Sequence, residues 1–394
     1  MAQSQFFHAK ISGIHTVAPK DVIRLEDELQ YFKGDIKKAQ RMTKIVGMDC
    51  RRVAQPGVTP SDLSRQAAEL LFKKMEVDPA SVDTIIFLSQ RPDHILPATA
   101  CILQKKLGLS KNCAAFDVNQ GCSGYVYGLW LAFSLIESRA ATRVLLLVGD
   151  GMCQTLDSDN RVVAPVFGDA GSATIVEYSE AETHSWFSLG ADGGGAEALM
   201  IPAGAYRLPL PKTVEDYAAY CEYLRDPNGT PWRLTNIYMD GGAIFDFTVN
   251  TVPPHILETL AWAGQTPEDI DWFVPHQANK QIMSMIAQAT GFSEQKTIMS
   301  AFSKYGNTAA ASIPTALCDA WQEIERSKKS RLMLCGFGVG LSWASAILDM
   351  GNIICTGVTD FDPPADSMTQ QEYLAHWQNK ITGKETNLTP KEES

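Results

Sequence analysis

Ala114-Ala115-Phe116-Asp117-Val118-Asn119-Gln120-Gly121-Cys122-Ser123-Gly124 holds a complete strand-to-helix transition. Ala114–Val118 has the apolar, β-permissive character of a strand, Asn119-Gln120-Gly121 reads as a turn, and helical periodicity follows from about Cys122 to Ser138. A buried strand feeding a helix is the building unit of layered α/β folds. Upstream, Thr84–Leu88 is a short β-branched run, and Thr99–Leu107 has helical spacing that ends at Gly108. Downstream, Val144–Val148 and Ser172–Glu177 read as strands. The second half repeats the theme. A long helix is predicted near Gly242–Ala263, then the strand Trp272–Val274 and the helix Gln277–Ala289. After Gly306 come a helix over Ala309–Arg326, the strand Arg331–Cys335, a glycine-rich turn and the strand Ser342–Asp349. Apolar strands buried between helices in both halves predict an α/β architecture of stacked layers. The expected divisions are 1–185, 186–350 and a tail, 351–394. The stretch 206–236, rich in Pro, Tyr, Arg and Lys, reads as an insertion in the second half. In the tail, Phe361-Asp362-Pro363-Pro364 marks a linker, Ser367–Lys380 a helix, and Gly383–Ser394 a polar, disordered end.

Composition narrows the function classes. With 394 residues and 45% hydrophobic content the chain can bury a large core. A formal net charge of −11 argues against nucleic acid as a partner, while leaving room for a local basic patch. Lys37, Lys38, Arg41, Lys44, Arg51 and Arg52 form the densest such stretch, and they read equally well as a solvated helix face. No apolar run reaches the roughly 18 residues of a membrane helix. Residues 1–10 lack the pattern of a secretory signal. Nine cysteines, without CxxC pairs or ligand-spaced clusters, fit reduced core thiols in a cytoplasmic protein, with neither a disulfide framework nor a metal.

Three positions carry the chemistry. Cys122 opens a helix straight after a strand, so its sulphur lies in the positive field of the helix N-terminus, which lowers a thiol pKa. The free N–H groups there suit an oxyanion. A buried small residue is the plainer account of the same cysteine. His276, in Pro275-His276-Gln277-Ala278-Asn279, sits at the carboxyl end of a strand, where open α/β folds bind ligands. Asn307, in Tyr305-Gly306-Asn307-Thr308, precedes a small-residue helix and also reads as a helix cap. Together His276 and Asn307 would supply two donors, with no repelling carboxylate, to the oxygen of a thioester enolate. In Cys335-Gly336-Phe337-Gly338-Val339-Gly340-Leu341-Ser342-Trp343, the spacing does not match a dinucleotide loop, and the glycines allow close backbone approach to Cys122.

These segments, with Phe167-Gly168-Asp169-Ala170-Gly171-Ser172 and Ala191-Asp192-Gly193, resemble the β-ketoacyl-acyl carrier protein synthase III family of the thiolase superfamily, from about Lys10 to Asp349. The resemblance implies a thiolase-like five-layered αβαβα fold made of two duplicated halves, in a homodimer. It implies that Cys122 accepts the acyl group and that His276 and Asn307 promote decarboxylation of a malonyl thioester. The N–H groups of Cys122 and Gly338 would form the oxyanion hole, Phe337 would shield the nucleophile, and Leu96 would line the acyl channel of the neighbouring subunit. Coenzyme A or phosphopantetheine thioesters would be substrates, acyl carrier protein the partner, and no cofactor would be resident. Some positions depart from the family pattern. Arg41 stands where common members carry an adenine-stacking tryptophan, although the arginine opposite it is retained as Arg161. Gln281, beside Lys280, replaces a carrier-docking arginine. Val339 and Gln120 replace small residues near the nucleophile. The condensing set is intact while the donor entrance differs, so a specialised pathway is expected. Acyl transfer to an alcohol or amine without condensation, and a non-catalytic ketosynthase-like subunit, are the alternatives.

Overall fold

The computed structural model describes residues 2–156, 160, 162–327 and 330–383. Two sheets carry the architecture. The first runs Ile354–Asp360, Ala9–Ala18, Ala170–Tyr178, Arg143–Asp150, Thr84–Leu88, Ala114–Val118. The second runs Ala2–Phe6, Ser185–Ala191, Ser342–Asp349, Arg331–Gly338, Trp272–Pro275. Between them lie the helices Gly124–Glu137 and Ser312–Ser327, whose apolar faces share one core with both sheets. Pro60–Met75 and Thr99–Lys106 cover the outer face of the first sheet. Gly241–Asn250, Val252–Trp262 and Lys280–Thr290 cover that of the second. This is the five-layered αβαβα order that the resemblance implies.

The two halves share a pairing scheme. Thr84–Leu88 pairs in parallel with Arg143–Asp150, which pairs antiparallel with Ala170–Tyr178. Likewise Trp272–Pro275 pairs in parallel with Arg331–Gly338, which pairs antiparallel with Ser342–Asp349. Even the edge strand that leads to Cys122 has a counterpart. Ile86 pairs in parallel with Phe116, and in the second half Phe273 makes an isolated parallel bridge to Thr297, upstream of Asn307. Cys122 and Asn307 therefore stand in matching places, each ahead of a central helix.

Several elements differ from the sequence expectation. The long helix near Gly242–Ala263 is two helices broken at Thr251, because Pro253 belongs in a first helical turn and not in an interior. The helix after Asn307 begins with a 3-10 turn, Ala309–Ala311, and becomes α-helical at Ser312. The divisions expected at 185 and 350 are crossed by two strands, since Ala2–Phe6 pairs with the second sheet and Ile354–Asp360 with the first. The expected tail helix occurs at Gln370–Thr382, while the polar end from residue 384 lies outside the described residues. Among the described residues no helix is long and apolar enough to cross a membrane.

Candidate active site

Asp117 fixes the strand that leads to Cys122, accepting hydrogen bonds from the N–H groups of Thr99 (2.7 Å) and Ala100 (2.8 Å). The helix begins at Gly124, so Cys122 sits in the connecting turn, buried. Gly121 must lack a side chain, because a Cβ there would lie 2.1 Å from Val339 Cγ1 and 2.5 Å from Gln90 Oε1. Gly338 has φ +153, and a Cβ there would lie 3.0 Å from the Cys122 sulphur. The missing side chain leaves clearance beside the sulphur. The backbone N–H groups that stabilise charge on the sulphur are those of Val339 and Cys122 itself. Burial pushes the Cys122 thiol up to about 12, and the charge of Asp150 adds to the rise. Desolvation outweighs the helix-terminus effect expected from the sequence, so the resting group is a neutral thiol.

His276 follows the last residue of its strand, with its N–H on the carbonyl of Cys335 at 2.7 Å. The buried imidazole bonds through Nδ1 to Ser312 Oγ (2.6 Å), leaving Nε2 for chemistry. Phe337 meets the ring edge-on, with centroids 5.4 Å apart at 86°. Burial pushes His276 down to about 3, so the ring is neutral across the working pH range.

Asn307 is held by its own backbone: its N–H donates to Val166 (2.9 Å) and its carbonyl accepts from Gly168 (3.0 Å). Its side-chain Oδ1 accepts from the N–H of Ala309 at 3.0 Å, which leaves Nδ2 as the outward donor. The capping and donor readings of Asn307 are thus compatible. The glycine hairpin joins Cys122 to His276, since Gly338 packs on the sulphur while Phe337 packs on the imidazole. Ala309 and Phe167, which flank Asn307, share an apolar cluster with Cys122.

A cavity of about 700 Å³ opens on Cys122. The insertion walls it: Leu210, Tyr217 and Thr235 line it together with Leu199 and Ile237. Trp232 packs behind in the same cluster as Cys122. A shallower hollow around Asp269 and Asp349 contains none of the candidate residues. Among the described residues no group of His, Cys, Asp and Glu is placed to hold a metal ion. The arrangement provides a thiol suited to covalent acyl chemistry, N–H donors beside it, and two neutral side chains, each with one donor position left over.

Residues 116–193 match the family described as 3-Oxoacyl-[acyl-carrier-protein (ACP)] synthase III, and residues 260–350 match its C-terminal domain. A β-ketoacyl-[acyl-carrier-protein] synthase III of Chlamydia caviae is 37% identical over 305 residues, 77% of this chain and 86% of the relative. One from Campylobacter concisus is 34% identical, covering 79% of this chain and 88% of the relative. The chain belongs to the synthase III family. Its fold agrees with the crystal structure of a 3-oxoacyl-(acyl-carrier protein) synthase from Burkholderia xenovorans LB400, with a TM-score of 0.82 at 34% identity over 91% of this chain and 99% of that one.

The other expected residues of this synthase fall in several places. Arg161 lies outside the described residues. Leu96 is 79% exposed and does not line the cavity of its own chain. Lys280 is exposed at the start of its helix, and its stem packs on Gly47, the C-cap of the helix Ile36–Val46 that carries exposed Arg41. Arg51 and Arg52 leave the basic stretch. Arg51 forms a buried ion pair with Glu28, and Arg52 bonds Asp360 (2.9 Å).

The sequence reading missed Ser312 and Asp150. Asp150 ends the apolar strand Arg143–Asp150 and is wholly buried. It accepts from Gln90 N–H (2.9 Å), Ser89 Oγ (3.2 Å) and Ala310 N–H (3.2 Å), tying the cavity wall to the turn after Asn307. A carboxylate closing an apolar strand at its carboxyl end was the available signal. Burial pushes Asp150 up to about 6, against the pull of those three donors. The raised value favours the folded chain while the carboxyl is protonated, and that contribution is lost as pH rises through about 6. Activity should run the other way, because a protonated carboxyl turns an O–H toward groups that are themselves donors. The kcat/KM of the condensation should therefore fall as pH drops through about 6. In Asp150→Asn, which lacks one acceptor at every pH, the rate should be lower throughout and this acid limb absent. A limb that survives in Asp150→Asn assigns it elsewhere.

Proposed function

We propose that this synthase carries out a decarboxylative Claisen condensation. An acyl group passes from coenzyme A or a carrier protein to Cys122, and the cysteine proton leaves on the released thiol. A malonyl-carrier protein then loses CO2, and His276 Nε2 and Asn307 Nδ2 hold the enolate oxygen. The enolate carbon attacks the acyl-cysteine carbonyl, the C–S bond breaks, the Cys122 thiolate takes up a proton from solvent, and a 3-oxoacyl thioester leaves. This cycle needs no resident cofactor. The observation that carries it is the pairing of a buried thiol beside two backbone N–H donors with a neutral His276 fixed by Ser312 and an Asn307 amide turned by Ala309. The test is to incubate the chain with acyl-CoAs and acyl-carrier proteins and read the mass of the Cys122 peptide. An adduct that malonyl-carrier protein converts to a 3-oxoacyl product supports the cycle. An adduct that passes only to an alcohol or amine replaces it with simple acyl transfer.

Lys37, Arg41 and Lys44 are spaced four and three residues apart, so they form one exposed stripe on their helix, with Lys280 beside its C-cap. This stripe is proposed to receive the phosphates of coenzyme A or the acidic face of a carrier protein. Arg41→Glu should raise the KM for the thioester donor several-fold with kcat nearly unchanged, and an unchanged KM removes Arg41 from the site. The altered entrance and the insertion over the cavity support a specialised acyl pathway. Exposed Leu96, next to exposed Ile95 at the cavity's edge, supports a homodimer in which Leu96 reaches the neighbouring channel.

A further inference from the structure

Among the described residues, Arg91 is the cation in the lining of the cavity that contains Cys122. It sits on the segment Gln90-Arg91 that Asp150 and Ser89 tie down: Gln90 N–H donates to Asp150 at 2.9 Å and Arg91 N–H to Ser89 Oγ at 2.9 Å. The neighbouring wall is apolar, with Met152, Phe167, Leu199 and Ile237 in one cluster with Cys122. No described residue gives the Arg91 guanidinium a hydrogen bond or ion pair, and its Nη2 is buried without a partner. Asp150 acts on it only through its charge, because both carboxylate oxygens are already committed to Ser89, Gln90 and Ala310. Asp93, two residues on, is held by Ser61 Oγ at 2.8 Å instead. A guanidinium with no partner among the described residues, on an apolar wall, is a costly arrangement for a binding site built to take a plain alkyl chain. Its planar fork of donors matches a carboxylate.

We infer that Arg91 selects acyl donors whose chain carries a carboxylate, pairing with that group while the thioester carbonyl reaches Cys122. The inference rests on the acyl loading of Cys122 proposed above and names the class of acyl group. The bond changes are those of loading: the donor C–S bond breaks, the Cys122 C–S bond forms, and the distal carboxylate is a bystander held by the guanidinium.

Glutaryl-CoA and hexanoyl-CoA separate the possibilities, with the initial rate of Cys122 acylation of the full chain read by intact mass. The expected result is a kcat/KM at least about tenfold higher for glutaryl-CoA. Arg91→Leu should reverse the order, and Arg91→Lys should keep a reduced preference for the acid, with melting temperatures checking that both variants fold. Hexanoyl-CoA preferred by the unaltered chain overturns the inference, as does a preference that Arg91→Leu leaves unchanged. So does an effect of Arg91→Leu confined to the KM of malonyl-carrier protein. Loading of hexanoyl-CoA alone leaves the condensation cycle standing, whereas loading from neither donor nor any other thioester removes both readings.

Discussion

Cys122→Ala should yield no acyl adduct from any thioester donor, a loss limited only by detection. Among the described residues no other cysteine lines the cavity. Cys318 and Cys335 are buried away from the cavity lining, and Cys101 is exposed. The buried thiol, pushed up to about 12, also predicts slow reaction with a small alkylating agent in the free protein. Loading is therefore proposed to depend on a bound donor, whose developing oxyanion would take backbone N–H donors beside Cys122. Peptide mapping of chain treated with an acyl donor gives the answer. An adduct on another cysteine in Cys122→Ala would place the nucleophile elsewhere, and a lack of any adduct in the unaltered chain would favour a non-catalytic ketosynthase-like subunit.

Asn307→Ala should separate the two stages of the reaction. Its amide is assigned to the enolate of the second stage, so the Cys122 adduct should form at a near-normal rate. Condensation should fall by about 10²–10³-fold, the usual cost of one lost donor to a developing oxyanion. His276→Ala should cut condensation by a similar factor and leave most of the loading intact. The double variant should lose less than the product of the two, because both side chains serve one oxygen. Single-turnover measurements starting from preloaded chain and malonyl-carrier protein read the second stage alone. Equal losses in loading and condensation for Asn307→Ala would end the proposed division of labour.

The three candidate residues were legible because each stands at a boundary that short-range sequence defines. Cys122 lies between an apolar strand and a helix, His276 just past a strand ending in proline, and Asn307 after a glycine with φ +74. The break at Thr251 is legible too, because Pro253 marks a first helical turn inside a stretch of continuous helical periodicity. Ser312 and Asp150 were not, because their meaning lies in partners far along the chain. His276 Nδ1 and Ser312 Oγ are separated by 36 residues, and Asp150 and Ala310 by 160. Val339 and Arg91 matter for the same reason. The first places its N–H at the sulphur, and the second stands in the cavity wall with no partner among the described residues.

By itself the sequence determined the layered α/β class, the doubling of the pattern, and which side chains emerge at the strand ends. Hydrophobic period, turn residues and helix starts act over a few residues, so they can be read from neighbours in the chain. Only the tertiary structure decided the protonation of the site. The helix start at Cys122 predicts a lowered thiol pKa, yet burial between the two halves raises it, and the same burial keeps His276 neutral. It also decided that residues 206–236 wall the cavity and that the strand Ile354–Asp360 joins the first sheet. Desolvation depends on every group that excludes water from a site, and those groups are gathered from the whole chain.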